Sequence, residues 1–268
     1  MLPLILSLLC CLTPLTPSEP EPVVITPPKA EPPVLVCKDG ESIWRYTAYE
    51  VQGWRVLIDV DLSADQKLVA DLLAILNERL TFLLEVVPTQ RHALLQSIPI
   101  WVSNEPTYPL RPGERGVIPF HRSPTWLRNH GLNPQMGPGV HIINPRPVLY
   151  EHRVFQHAPE TMLHELAHAY HNLELGLDHP LIQDAYKNAM QLRLYDAVPS
   201  RSNPEVKARA YAATNHEEYF AELTEAWFGR NDWYPRNRDE LKQHDPIGYE
   251  MIETVWNLPL GPRLPSPP

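Results

Sequence analysis

Residues 54–62, "WRVLIDVDL", alternate apolar and polar side chains over part of their length, as a half-buried strand does. The period then changes. Leu68, Leu72, Leu76, Leu80 and Leu83 recur every three or four residues, which predicts a helix with one apolar stripe. Ser63 and Gln66 read as its capping box and Pro88 as its end. "SIPIWVS" (97–103) and "GVHIIN" (139–144) are short apolar runs that predict strands. Residues 104–138 between them are rich in Pro, Gly and Arg and read as a long surface loop.

The second half of the chain is patterned for helices. One is predicted to start at Pro159 and Glu160, to carry Leu163, Leu166, Ala167 and Tyr170 as its apolar stripe, and to stop at Gly176. Another starts at Asp178 with Pro180 just inside, a third opens at Asn215 and runs to Gly229, and the last lies in "DPIGYEMIETVW". Residues 197–213 fit helix and strand equally. A few short strands beside several helices predict an α+β class.

Composition narrows the partners. The chain has 268 residues, 43% of them hydrophobic, which is enough for a real core. The net charge is -9 with both signs interspersed, and no basic patch invites nucleic acid. Residues 1–12 form an apolar, signal-like run, too short to span a membrane. It predicts a secreted or cell-envelope protein, although no Lys or Arg precedes it and no A-x-A site follows. Cys10 or Cys11 could carry a lipid anchor. With that run removed, Cys37 has no disulfide partner in the chain. Residues 13–33 are a Pro-rich linker and 259–268 a tail of the same kind, so the folded domain is expected over 34–258.

The chemistry concentrates in "HELAH", residues 164–168. Positions i and i+4 of a helix share a face, so His164 and His168 can both reach one metal ion, and Glu165 beside them can take a proton from an activated water. A catalytic zinc takes three protein ligands and leaves one position open. His171 is a poor third ligand: it lies about 10 Å from His164 along a straight helix at roughly 1.5 Å per residue. The metzincin pattern fails as well, because it requires Gly at 171 and His at 174, where this chain has His171 and Glu174. A glutamate of the Asn215 helix remains. Spacing favours Glu218 slightly over Glu222 and Glu217, and against it stands the plain reading of Asn215 with Glu218 as a capping box.

"HELAH" followed by "YAATNHEEYFAE" (211–222) resembles the peptidase domain of anthrax toxin lethal factor and its relatives, which are gluzincin zinc metallopeptidases. The match covers residues 160–229. In that family a tyrosine stands seven residues before the ligand glutamate. The resemblance implies a zincin-like fold, a small mixed sheet packed on several helices with the HExxH helix at the cleft. It implies Zn2+ held by His164, His168 and Glu218, Glu165 as general base, Tyr211 at the oxyanion, and Glu222 orienting a ligand histidine. The implied activity is peptide-bond hydrolysis on a peptide or protein substrate. Such enzymes lay the substrate along a strand edge, for which "GVHIIN", with His141, Ile142 and Ile143, is the first candidate and "IPIWVS" the second. His141 otherwise reads as a polar residue on the outer face of that strand, and His121 and His216 as surface histidines. Two other readings share the metal: a non-catalytic, zinc-stabilised surface binding protein, and a hydrolase of cell-wall peptides.

Overall fold

The computed structural model describes residues 32–106, 108–109, 118–154, 160–200 and 204–258. The apolar run 1–12, the linker up to residue 31, Pro159 and the tail 259–268 lie outside them.

The described residues open with a hairpin that the hydrophobic pattern did not announce, β1 (Val34–Asp39) and β2 (Ser42–Val51). Strand β3 (Trp54–Asp59) follows antiparallel to β2. It stops three residues short of the expected end, because the Asp59 carboxylate accepts from the Asp61 N–H and starts a one-turn helix, α1 (Val60–Ser63). The long helix is α2 (Gln66–Val86), and its cap is Asp65 rather than Ser63. Ser63 instead bonds Thr47 on β2. All five stripe leucines are buried. Each contributes roughly 1.5–3 kcal/mol by leaving water, which dominates the gain from the cap. Helix α3 (Thr89–Gln96) then leads into β4 (Ile100–Val102).

The segment expected to be loop holds structure: β5 (Phe120–His121), α4 (Pro124–Asn129) and a 3₁₀ turn at Pro134–Met136. Strand β6 (Gly139–Ile142) and helix α5 (Pro145–Val154) come next. The motif helix is α6 (Thr161–Tyr170), extended by a π turn (His171–Leu175) that ends at Gly176, whose φ of +81° suits glycine. Helix α7 is Pro180–Gln191. Among its described residues, the ambiguous stretch contains no long element. A two-residue bridge joins β7 (Val198–Pro199) to β8 (Lys207–Ala208), and a 3₁₀ turn covers Tyr211–Ala213. Helices α8 (His216–Phe228), α9 (Arg238–His244) and α10 (Pro246–Asn257) complete the described chain.

The sheet order is β1-β2-β3-β4-β6-β5. The pairs β3–β4 and β4–β6 are parallel and the rest antiparallel. Alternation sends Val56, Ile58, Ile100, Val102, Val140 and Ile142 into the core shared with the helices. It sends Leu57 and Trp101 to the other face, where Tyr46, Leu127 and Met136 cover them. The fold is thus α+β, a central mixed sheet packed against several helices. No helix among the described residues is long and apolar enough to cross a membrane.

Candidate metal site

Helix α6 is anchored by its stripe: Leu163, Leu166, Ala167 and Tyr170 are all buried. Tyr170 also donates to the Val255 carbonyl at 2.8 Å, which ties α6 to α10. With that face fixed, His164 and His168 turn toward α8, their rings 4.8 Å apart. Helix α8 begins at a true cap, since the Asn215 side chain accepts from the Glu218 N–H at 2.8 Å. The capping performed by Asn215 leaves the Glu218 side chain for another use. Its Oε2 lies 3.2 Å from His164 Nε2 and 3.1 Å from His168 Nε2.

The two Nε2 atoms are themselves 3.1 Å apart. The three donor atoms therefore form a nearly equilateral triangle. Its side is close to the edge, about 3.3 Å, of a tetrahedron with bonds of about 2.0–2.1 Å to zinc. Two imidazole nitrogens and one carboxylate oxygen are also the donor types that borderline divalent metals select. These residues form a His/Glu cluster able to coordinate a metal ion between α6 and α8.

The second carboxylate differs from the sequence expectation. Glu225, not Glu222, bonds the outward nitrogen of His164: its Oε1 is 2.7 Å from Nδ1, against 4.0 Å for Glu222. An Nδ1–H donated to Glu225 leaves the Nε2 lone pair facing the cluster. Glu222 lies alongside, buried, with Oε2 lacking a hydrogen-bond partner among the described residues. Burial first, and then the Glu225 charge, push its carboxyl up to about 8, so it is neutral at pH 7.

Charge runs the same way through the cluster. Burial alone would lower the pKa of His164, but hydrogen bonds to Glu218 and Glu225 raise it well above the usual value. Burial would raise Glu218, yet the two imidazoles hold it well below the usual carboxylate range. Without metal the site thus retains a proton, which an incoming cation must displace.

Glu165 reaches toward β5, and its pKa is raised by burial against the pull of both histidines. Its Oε2 accepts from the Phe120 N–H at 2.6 Å. That contact locates the strand edge. Strand β6 has β4 on one side and β5 on the other, so it is not an edge. His141, Ile142 and Ile143 are at most 4% exposed, and none of them offers a free surface to a peptide. The expected substrate strand is corrected accordingly: the edge beside the cluster is β5, and interior β4 is excluded for the same reason. Arg122, just past β5, pairs with Glu217 of α8 at 3.0 Å.

Tyr211 sits on the 3₁₀ turn before α8, 40% exposed, its ring lying over that of His164 at 6.2 Å. His171 is fully buried behind the cluster, and burial and the neighbouring imidazoles lower it to about 3. His121 is buried as well, and His216 bonds the Leu177 carbonyl. Sequence reasoning missed Glu225 and β5. The acidic run of α8 was the available signal for the first. A two-residue strand inside a Pro/Gly-rich stretch gave none for the second.

No protein-family model, curated protein or solved structure matches this chain.

Proposed function

We propose that the protein is a zinc-dependent endopeptidase of the gluzincin type. The observation that carries the reading is the triangle of His164 Nε2, His168 Nε2 and Glu218 Oε2 with Glu165 beside it, its carboxylate held by the edge strand β5. A structural zinc site has no use for such a base. The motif resemblance over residues 160–229 points the same way and adds Tyr211.

When bound by His164, His168 and Glu218, zinc supplies Lewis-acid activation of water and of the scissile carbonyl. Glu165 accepts the water proton and returns it to the leaving amine. The pKa raised by burial suits both halves of that task, because it brings the carboxyl nearer to neutral pH. Tyr211, exposed beside His164, donates its phenol to the developing oxyanion. Glu225 holds the His164 ring in one tautomer. The edge of β5 offers main-chain groups to an extended peptide. The apolar run of residues 1–12 supports a secreted or envelope setting for this activity.

The test is metal analysis together with hydrolysis of a mixed peptide library, wild type against Glu165→Gln. The wild type is expected to carry one zinc and to cleave. The variant keeps the metal and loses about 10²–10⁴-fold in rate. Full activity in the variant, or a wild type that takes up no metal, ends the proposal.

A further inference from the structure

On the sheet face away from the helical core, three polar side chains outside the proposed chemistry are buried together. Ser103 follows β4, His141 lies in β6 and His121 ends β5, and they are 2%, 0% and 5% exposed. They form a chain: Ser103 Oγ is 2.6 Å from His141 Nε2, and His141 Nδ1 is 3.1 Å from His121 Nε2. Burial lowers the pKa of both imidazoles, so each is neutral, with one donor and one acceptor nitrogen. The chain therefore runs in one direction. Either Ser103 donates to His141 and His141 to His121, or the order reverses throughout.

The three residues lie in or directly after three adjacent strands, and the last of those strands needs support. Strand β5 is only two residues long, pairing Phe120 with Val140 and His121 with Gly139. One further backbone bond, His141 N–H to the Pro119 carbonyl at 2.9 Å, adds to it. So short a ladder is marginal by itself. His121 anchors it from below through the chain, with Trp126 stacked over its ring at 5.6 Å and Tyr108 at 5.8 Å. One residue earlier in the same strand, the Phe120 N–H meets the Glu165 carboxylate.

We propose that the Ser103–His141–His121 chain fixes the edge strand β5 and, through the Phe120 amide, sets the position of Glu165. His121 and His141 are then positioning residues, not catalytic ones. The role assigned to Glu165 rests on the peptidase reading, whereas the anchoring of β5 can be measured without it.

The experiment compares His121→Phe with His121→Gln in the zinc-loaded full chain. It reads hydrogen exchange at the Phe120 amide, zinc content, kcat and KM. Phe cannot complete the chain, so exchange at Phe120 should rise about tenfold or more, as a lost buried hydrogen bond implies. The kcat should fall in parallel, with zinc content and exchange in β4 unchanged. Gln supplies a donor and an acceptor and should restore much of both. A folded His121→Phe with wild-type exchange at Phe120 overturns the anchor. Raised exchange with unchanged kcat overturns the link to Glu165. If His121→Phe does not fold, Ser103→Ala decides the matter, with a smaller rise of about threefold expected and no rise refuting the proposal. A wild type without peptidase activity refutes the functional reading, and the exchange result still judges the anchor.

Discussion

Two pairs of histidines stand on opposite faces of the sheet's end, and their closest nitrogens have the same separation. His164 and His168 approach to 3.1 Å, and so do His121 and His141. Their surroundings differ. The first pair faces the carboxylates of Glu218 and Glu225, which raise the pKa of His164. The second faces a serine hydroxyl and aromatic rings, and burial there lowers His121 to about 4. A cation at the first site would replace a proton and neutralise acids already desolvated. At the second it would leave its own charge uncompensated in an apolar setting, which costs several kcal/mol. Nitrogen spacing alone therefore does not make a metal site. The negative charge placed beside it does.

The largest test of this contrast removes that charge. Glu218→Ala should weaken zinc binding by more than the ~100-fold that supporting partners command, and calorimetric titration measures it. If affinity is unchanged, the metal lies elsewhere. A finer test separates the two buried acids of α8. Glu225→Gln should cost about 10–100-fold in zinc affinity, because it removes the carboxylate charge beside His164 Nδ1. Glu222→Gln, which replaces a neutral acid by a neutral amide, should cost less than tenfold. The reverse ranking would restore Glu222 as the orienting residue.

The smallest effects are on stability, read as urea midpoints of metal-free protein across pH. His121 has a folded pKa of about 4 against about 6.5 unfolded. Its contribution is present above pH 6.5 and lost as pH falls toward 4, because the unfolded chain binds the extra proton. His121→Gln should flatten that acid limb. Glu222 behaves oppositely. Its folded value of about 8 lies above its unfolded one, so the neutral acid's stability is present below about pH 4.5 and lost as pH rises to 8. Glu222→Gln should remove that loss. Two unchanged profiles would mean that neither group titrates as its burial implies.

Local rules carried far in this chain. The leucine period of α2, the stop at Gly176, the Asn215 cap and the i, i+4 pairing of His164 with His168 all depend on neighbours a turn or so away, and the structure contains each. The failures are as consistent. Asp65 displaced Ser63 as a cap because Ser63 found a partner on β2, sixteen residues away. His141 was read as outward because alternation identifies two faces without saying what covers them. Here the second face is closed by α4 and its neighbours.

The amino-acid sequence by itself determined which side chains can meet a metal: two imidazoles one helical turn apart and a carboxylate freed by its own cap. Only the tertiary structure decided which acid supports them and which strand borders them. On a helix of 3.6 residues per turn, positions 222 and 225 lie about 40° and about 20° to either side of 218. The choice between them rests on how α6 crosses α8. Strand β5 exists because residues distant in sequence hold it, and no period within two residues can encode that.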